Sequence, residues 1–187
     1  MPNLNVSLFL LINSLAGKSA FMNQAMIFSA KYLIFLVPAF LIFLWFVKGK
    51  NNEMRKEALF IFTACLLSFL IGVVIGWFYF HPRPFAMHLG TLLLQHVADS
   101  SFPSDHGLIL FSVAFSLLFL KKYKTGIAFM LVGLLVEFAR IFVGFHFPAD
   151  ILGSFVIAFI SVVALYLLKD KLYWVYSKVL KVTNKFI

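Results

Sequence analysis

The chain has 187 residues, 63% of them hydrophobic and 12% charged, with a mean hydropathy of +0.99. A water-soluble domain is nearer half apolar and a quarter charged, so this composition excludes a solvated globule and indicates an integral membrane protein. The formal net charge of +9 comes from cations clustered between apolar runs, which fits orientation in a bilayer and not nucleic-acid binding. A single cysteine, Cys65, excludes an intramolecular disulfide and a cysteine-based zinc site.

Near the N-terminus, the apolar stretch Leu8 to Ile12 is flanked by Asn3, Asn5, Ser7, Asn13 and Ser14. It is too short to cross a bilayer and is expected to lie as a short helix at the interface or against the bundle. Five apolar runs follow: Phe28 to Val47, Ala58 to Phe80, Gly107 to Leu120, Gly126 to Phe145, and Ile151 to Leu168. Continuous apolar runs bounded by charge read as helices in lipid, where each helix satisfies its own backbone. The expected fold is an all-α membrane protein, an antiparallel bundle of about five transmembrane helices plus the short N-terminal interfacial helix. Residues 1–187 would form one polytopic domain.

Cation bias orients the bundle. Lys48, Lys50, Arg55 and Lys56 lie between spans one and two, and Lys121, Lys122 and Lys124 between three and four. Lys169, Lys171, Lys178, Lys181 and Lys185 follow span five. All three clusters fall on one side, which the positive-inside rule makes cytoplasmic. The segment from His81 to His106 and the turn around His146 then face outward, and every histidine of the chain is there.

Ionisable groups at membrane depth are costly and point to function. Three clusters stand out on the outer side. The first is His81-Pro-Arg83-Pro84 and the second Pro103-Ser104-Asp105-His106. Ser104 reads as a helix N-cap with Asp105 in the first turn, a place where free N–H groups and the helix dipole attract an anion. The third cluster is Arg140, His146 and Asp150, with Gly144 allowing a bend and Pro148 suited to the first turn of span five. Asp150, four residues after His146, is placed to meet one ring nitrogen and leave the other free to attack an electrophile. Two guanidiniums beside a helix N-terminus suit a phosphate or diphosphate. His146 would attack phosphorus, while His106 would protonate the leaving oxygen and later activate water. A site at the outer interface implies a substrate whose tail stays in lipid. The competing readings are a small transporter with intramembrane charges and a non-catalytic lipid-binding relative.

These residues resemble the type 2 phosphatidic acid phosphatase superfamily, whose three motifs read Lys-x6-Arg-Pro, Pro-Ser-Gly-His and Ser-Arg-x5-His-x3-Asp. Arg83-Pro84 matches the end of the first, and Pro103-Ser104-Asp105-His106 the second with Asp for Gly. Arg140, His146 and Asp150 match the third, with Ala139 in place of its Ser. The flanking text His81-Pro-Arg-Pro-Phe85, Phe102-Pro-Ser-Asp-His106 and Pro148-Ala-Asp-Ile-Leu-Gly153 is similar to small bacterial undecaprenyl-diphosphatases of the bacitracin-resistance type.

The resemblance implies a catalytic core over about residues 58–168, His146 as a nucleophile forming a phosphohistidine, Asp150 as its orienter and His106 as acid/base. It implies that Arg83, Ser104 and Arg140 hold the phosphate, with no metal and no cofactor. The implied reaction takes undecaprenyl diphosphate to the monophosphate and phosphate at the outer face of the bacterial plasma membrane. That reaction recycles the carrier for peptidoglycan synthesis and gives some bacitracin resistance. Phosphatidylglycerophosphate and lipid A are the competing substrates. The implied partners are the isoprenoid diphosphate lipid and the bilayer, with no nucleic acid.

The first motif's Lys falls on Gly76, which makes Lys31 a candidate substitute cation. Glu137, three residues before Arg140, is expected to pair with its charge, to orient it or to relay a proton. Asp105 and Asp99 are close enough in sequence to tune His106.

Overall fold

The computed structural model describes residues 4–46 and 52–183, so Lys48, Lys50, Lys185 and the end of the first expected span lie outside the described residues. Among the described residues every regular element is helical. Helix α1 is Leu4–Asn13, α2 Ala20–Tyr32, α3 Leu36–Phe46 and α4 Asn52–Phe78. Helices α5 (Asp105–Phe119), α6 (Tyr123–Phe142), α7 (Pro148–Leu167) and α8 (Lys169–Thr183) follow.

Helices α2 and α3 form one apolar rod broken by the 3-10 turn Leu33–Phe35. Pro38 accounts for the break: it has no N–H for the Ile34 carbonyl and its ring crowds that turn. The rod begins eight residues before the expected Phe28, because Ser19 caps α2 by accepting the Met22 N–H.

Among the described residues, four helical stretches are long and apolar enough to cross a membrane: Ala20–Phe46, Asn52–Phe78, Tyr123–Phe142 and Pro148–Leu167. The third expected span, Gly107 to Leu120, is α5, and it differs. Its 15 residues reach only about 22 Å, short of a hydrocarbon core of about 30 Å. It tolerates that length because it is the axis of the bundle, packed against α4, α6 and α7 and buried on all sides from Leu110 to Leu117. Leu110, Val113 and Leu117 meet Ile61 and Val136 on one side, and Phe111 and Phe115 meet Phe60, Ala158 and Val162 on the other. Outward, Phe35, Phe62, Leu131, Leu152 and Ile160 are exposed, as side chains facing lipid must be.

The sequence reading gave the lysines after span five no element, and α8 occupies that place. Leu172, Tyr176 and Leu180 recur every fourth residue, and the last two are buried. The Tyr176 hydroxyl lies 2.8 Å from Thr63 Oγ1 of α4. An ion pair of 3.1 Å between Lys122 and Glu57 ties the α5–α6 turn to the same end of α4. The three cation-rich segments therefore share one end of the bundle. The opposite end carries the loop 79–104 and the turn between α6 and α7.

Candidate active site

The Arg140-to-Asp150 segment is one helix exit followed by one helix entry. Helix α6 closes in a Schellman motif: the Gly144 N–H bonds the Ile141 carbonyl at 3.1 Å and the Phe145 N–H bonds the Arg140 carbonyl at 2.9 Å. Gly144 takes φ of +94°, and a Cβ there would meet the Thr91 carbonyl oxygen at 2.8 Å. Phe145 consequently folds back over the helix, its ring centroid 5.2 Å from the Arg140 guanidinium carbon. Phe147 then caps α7, Pro148 opens it, and the Asp150 carboxylate accepts the Phe147 N–H at 2.8 Å. The spacing Arg-x5-His-x3-Asp is thus set by two helix caps, with His146 suspended between them.

His146 is fully buried and polarised from both sides. Its Nε2 accepts from Arg83 and from Arg140, each at 3.1 Å. Two donors on Nε2 leave the proton on Nδ1, which donates to the Ser101 carbonyl at 2.8 Å. Burial, with the two guanidiniums acting in the same direction and Asp150 opposing them, pushes the imidazole down from 6.5 to about 3. His146 is therefore neutral at physiological pH, with its Nε2 lone pair aimed where two guanidiniums converge.

Asp150 was expected directly on the ring. Its Oδ2 instead stands 3.6 Å from Nδ1, beyond hydrogen-bond length, with Ser101 interposed. The oxygens of Asp150 are engaged elsewhere: Oδ2 accepts from the Ser101 hydroxyl at 2.5 Å and the Phe147 N–H, and Oδ1 lies 2.9 Å from His81 Nδ1.

Arg83 is fixed along its whole guanidinium. Nε donates to Asp99 at 2.7 Å, one terminal nitrogen to the Phe145 carbonyl at 3.1 Å and the other to the Ser100 carbonyl at 3.3 Å. Asp99, expected near His106, serves Arg83 in its place. Arg140 bridges the two histidines, reaching His106 Nε2 at 3.4 Å and the Ala30 carbonyl of α2 at 3.4 Å.

Ser104 caps α5 and is fully buried, its hydroxyl donating to Glu137 Oε1 at 2.9 Å. Glu137 thus holds Ser104, and among the described residues no ion pair joins it to Arg140, since its second oxygen is buried without a partner. The carboxylate comes this close because Gly107 has no side chain, as a Cβ there would lie 3.2 Å from Glu137 Cδ and collide with Ser154. Asp105 is exposed in the first turn of α5. Lys31 is exposed as well, its ammonium 5.1 Å from the Tyr32 ring centroid and outside this cluster. Gly76 faces open space.

The structure brings Arg83, Ser104, His106, Glu137, Arg140, His146 and Asp150 to one end of the bundle. Sequence reasoning missed Ser101 and, though it singled out the cluster that His81 opens, gave His81 no role. Ser101 immediately precedes Phe102-Pro103-Ser104, and its N–H bonds the His81 carbonyl at 2.7 Å, so the two loop arms are paired there.

A family model described as the PAP2 superfamily matches residues 57–174. The chain belongs to the PAP2 superfamily. Undecaprenyl-diphosphatase BcrC of Bacillus subtilis strain 168 is 34% identical over 157 residues, covering 84% of this chain and 80% of that protein. YbjG of Escherichia coli strain K12 is 35% identical over 156 residues, covering 82% and 77%. The crystal structure of Aquifex aeolicus LpxE superimposes with a TM-score of 0.74 at 26% identity, over 89% of this chain and 96% of that one. In this PAP2 chain, the match begins within α4 and ends within α8, enclosing every member of the site except its α2 contact.

Proposed function

We propose that this protein is a lipid phosphatase that cleaves undecaprenyl diphosphate to undecaprenyl phosphate and inorganic phosphate at the outer face of the bacterial plasma membrane. The observation that carries the chemistry is the convergence of Arg83 and Arg140 on the unprotonated Nε2 of His146. A terminal phosphate entering there exchanges its oxygens for the ring as the guanidiniums' acceptor, and brings phosphorus in line with Nε2. The Nε2 lone pair attacks, the bond to the bridging oxygen breaks, and His106 supplies the proton that leaves with undecaprenyl phosphate. Water then attacks the phosphohistidine as His106 takes its proton. The P–N bond breaks, and phosphate departs. Nδ1–H stays on the Ser101 carbonyl throughout, with the Asp150 charge behind it favouring the positive ring.

The substrate assignment is supported by the relatives' names and by an apolar groove of about 370 Å3 between the α2–α3 rod and α4. Ile34, Pro38, Cys65, Leu66 and Phe69 line it, and Ile109 of α5, one turn along from His106, closes its floor. A prenyl tail lying there places its diphosphate at the N-terminus of α5. Arg55, Lys56, Lys122 and the lysines of α8 lie at the opposite end, which favours an extracytoplasmic site under the positive-inside rule. Turnover of the lipid diphosphate at that face would underlie carrier recycling and bacitracin resistance.

The test is phosphate release by purified protein from undecaprenyl diphosphate and from phosphatidylglycerophosphate, with and without EDTA, beside His146→Ala. The expected result is EDTA-resistant release from the isoprenoid, with an acid-labile phosphoenzyme, both lost in the variant. Preference for the glycerolipid would replace the substrate, and an active His146→Ala would overturn the mechanism.

A further inference from the structure

The buried carboxylate behind the nucleophile has a third partner that the phosphoryl-transfer scheme leaves unused. Asp150 is fully buried, and its Oδ2 already accepts from the Ser101 hydroxyl and the Phe147 N–H. Its Oδ1 has His81 Nδ1, 2.9 Å away. A carboxylate accepts and does not donate, so this contact requires the proton on Nδ1 of His81. The His81 ring is held for that task. It stacks on Tyr79 at 6.1 Å and 16° between planes, and leans on Phe147 at 5.3 Å. Its main-chain N–H bonds Ser100 Oγ at 3.3 Å, and its carbonyl takes the Ser101 N–H at 2.7 Å.

His81 therefore reaches the nucleophile by two routes. Through its side chain it satisfies and aims Asp150, whose other oxygen fixes the Ser101 hydroxyl. Through its backbone it fixes Ser101, whose carbonyl accepts the His146 Nδ1–H. We infer that His81 is a positioning residue for phosphoryl transfer: its Nδ1–H holds the Asp150 carboxylate ionised and oriented behind His146. It touches neither the phosphate nor the His146 ring. The inference rests on His146 being the nucleophile.

Loss of the donor leaves Oδ1 a buried acceptor without a partner, and the carboxylate then rotates or takes up a proton. Either change removes negative charge from behind His146 when the ring becomes positive, and leaves the Arg83–Arg140 phosphate cradle intact. The effect therefore falls on kcat and spares KM. An asparagine at the same position separates donor from ring, because its amide nitrogen overlays Nδ1 while the rest of the imidazole is absent.

The experiment compares His81→Leu, His81→Asn and His146→Ala in detergent-solubilised full-length protein, using whichever phospholipid or prenyl diphosphate the wild type cleaves. Gel filtration and thermal unfolding establish that each variant is folded. His81→Leu is expected to lose roughly 10–100-fold in kcat with KM within about twofold, and His81→Asn to recover most of that loss. Wild-type kcat in His81→Leu would overturn the inference, as would an equal loss in His81→Asn, since the ring and not its donor would then matter. If His81→Leu does not fold, His81→Asn decides alone: kcat within about fivefold of wild type supports the donor role, and a larger loss overturns it. Turnover surviving in His146→Ala would mark instead the failure of the mechanism on which the inference rests.

Discussion

For the proposed reaction, His146 must meet two demands that ordinarily conflict, an unprotonated ring at neutral pH and enough positive potential nearby to receive a phosphate. Burial and two guanidiniums satisfy both, at the cost of an imidazole whose protonation falls to about 3. A ring held below its ordinary 6.5 contributes stability that is complete above that pH and is lost as pH falls toward about 3. In the phosphate-free protein, NMR of labelled imidazoles should show His146 unchanged between about pH 5 and 8. A midpoint close to 6.5 would contradict the burial and the two-guanidinium environment described here. At this scale the motif residues were legible, since Arg, His and Asp at fixed spacing announce their chemistry. Ser101 and His81 were not, because the loop 79–104 has no periodicity from which partners can be read. Its pairing of Ser101 with His81 is a tertiary fact.

Between residues and bundle lies the helix pair α6–α7, whose caps convert sequence spacing into site geometry. The sequence signalled a bend at Gly144 and a helix start at Pro148. It did not signal that Arg140 would be the residue whose carbonyl closes the Schellman motif. Nor did it signal that Asp150 would serve α7 as a cap while serving His146. Gly144→Ala tests that dual use. Alanine at φ of +94°, with its Cβ against the Thr91 carbonyl, costs about 1–2 kcal/mol from the backbone alone. The turn must shift to relieve it, so His146 moves relative to Arg83. Turnover is expected to fall at least about tenfold while the protein still folds in detergent, since a cap rearrangement leaves the apolar interior untouched. Full turnover in the folded variant would mean that the caps do not set the geometry of His146. The same scale holds α8, a helix with no counterpart in the sequence reading. The Leu172–Tyr176–Leu180 stripe of α8 is present in the sequence, but the lysines around it were read only as an orienting cation cluster.

Across the whole molecule, the short central helix α5 sets where the proposed chemistry would take place. At its N-terminus Ser104 and His106 meet Glu137 and Arg140, at the end of the bundle opposite the cation-rich segments. Apolar runs made five helices legible, yet they carried no information on which helix is the axis or where the neighbours part. That depends on crossing: α2 leans on α6 whereas α3 leans on α4, so the kinked rod runs diagonally across the bundle and leaves the groove beside it. If a prenyl tail occupies this groove, filling it should weaken long substrates and spare short ones. Leu66 lines the groove from α4 with 46% of its surface exposed, so a larger side chain there does not overpack the interior. Leu66→Trp is expected to raise KM for undecaprenyl diphosphate about tenfold, the equivalent of one or two displaced prenyl methylenes. It should leave kcat/KM for a short prenyl diphosphate unchanged, because Leu66 belongs to the lining of the apolar groove and not to the residues proposed to hold the phosphate. An equal effect on both substrates, or on neither, would place the tail elsewhere on the lipid-facing surface.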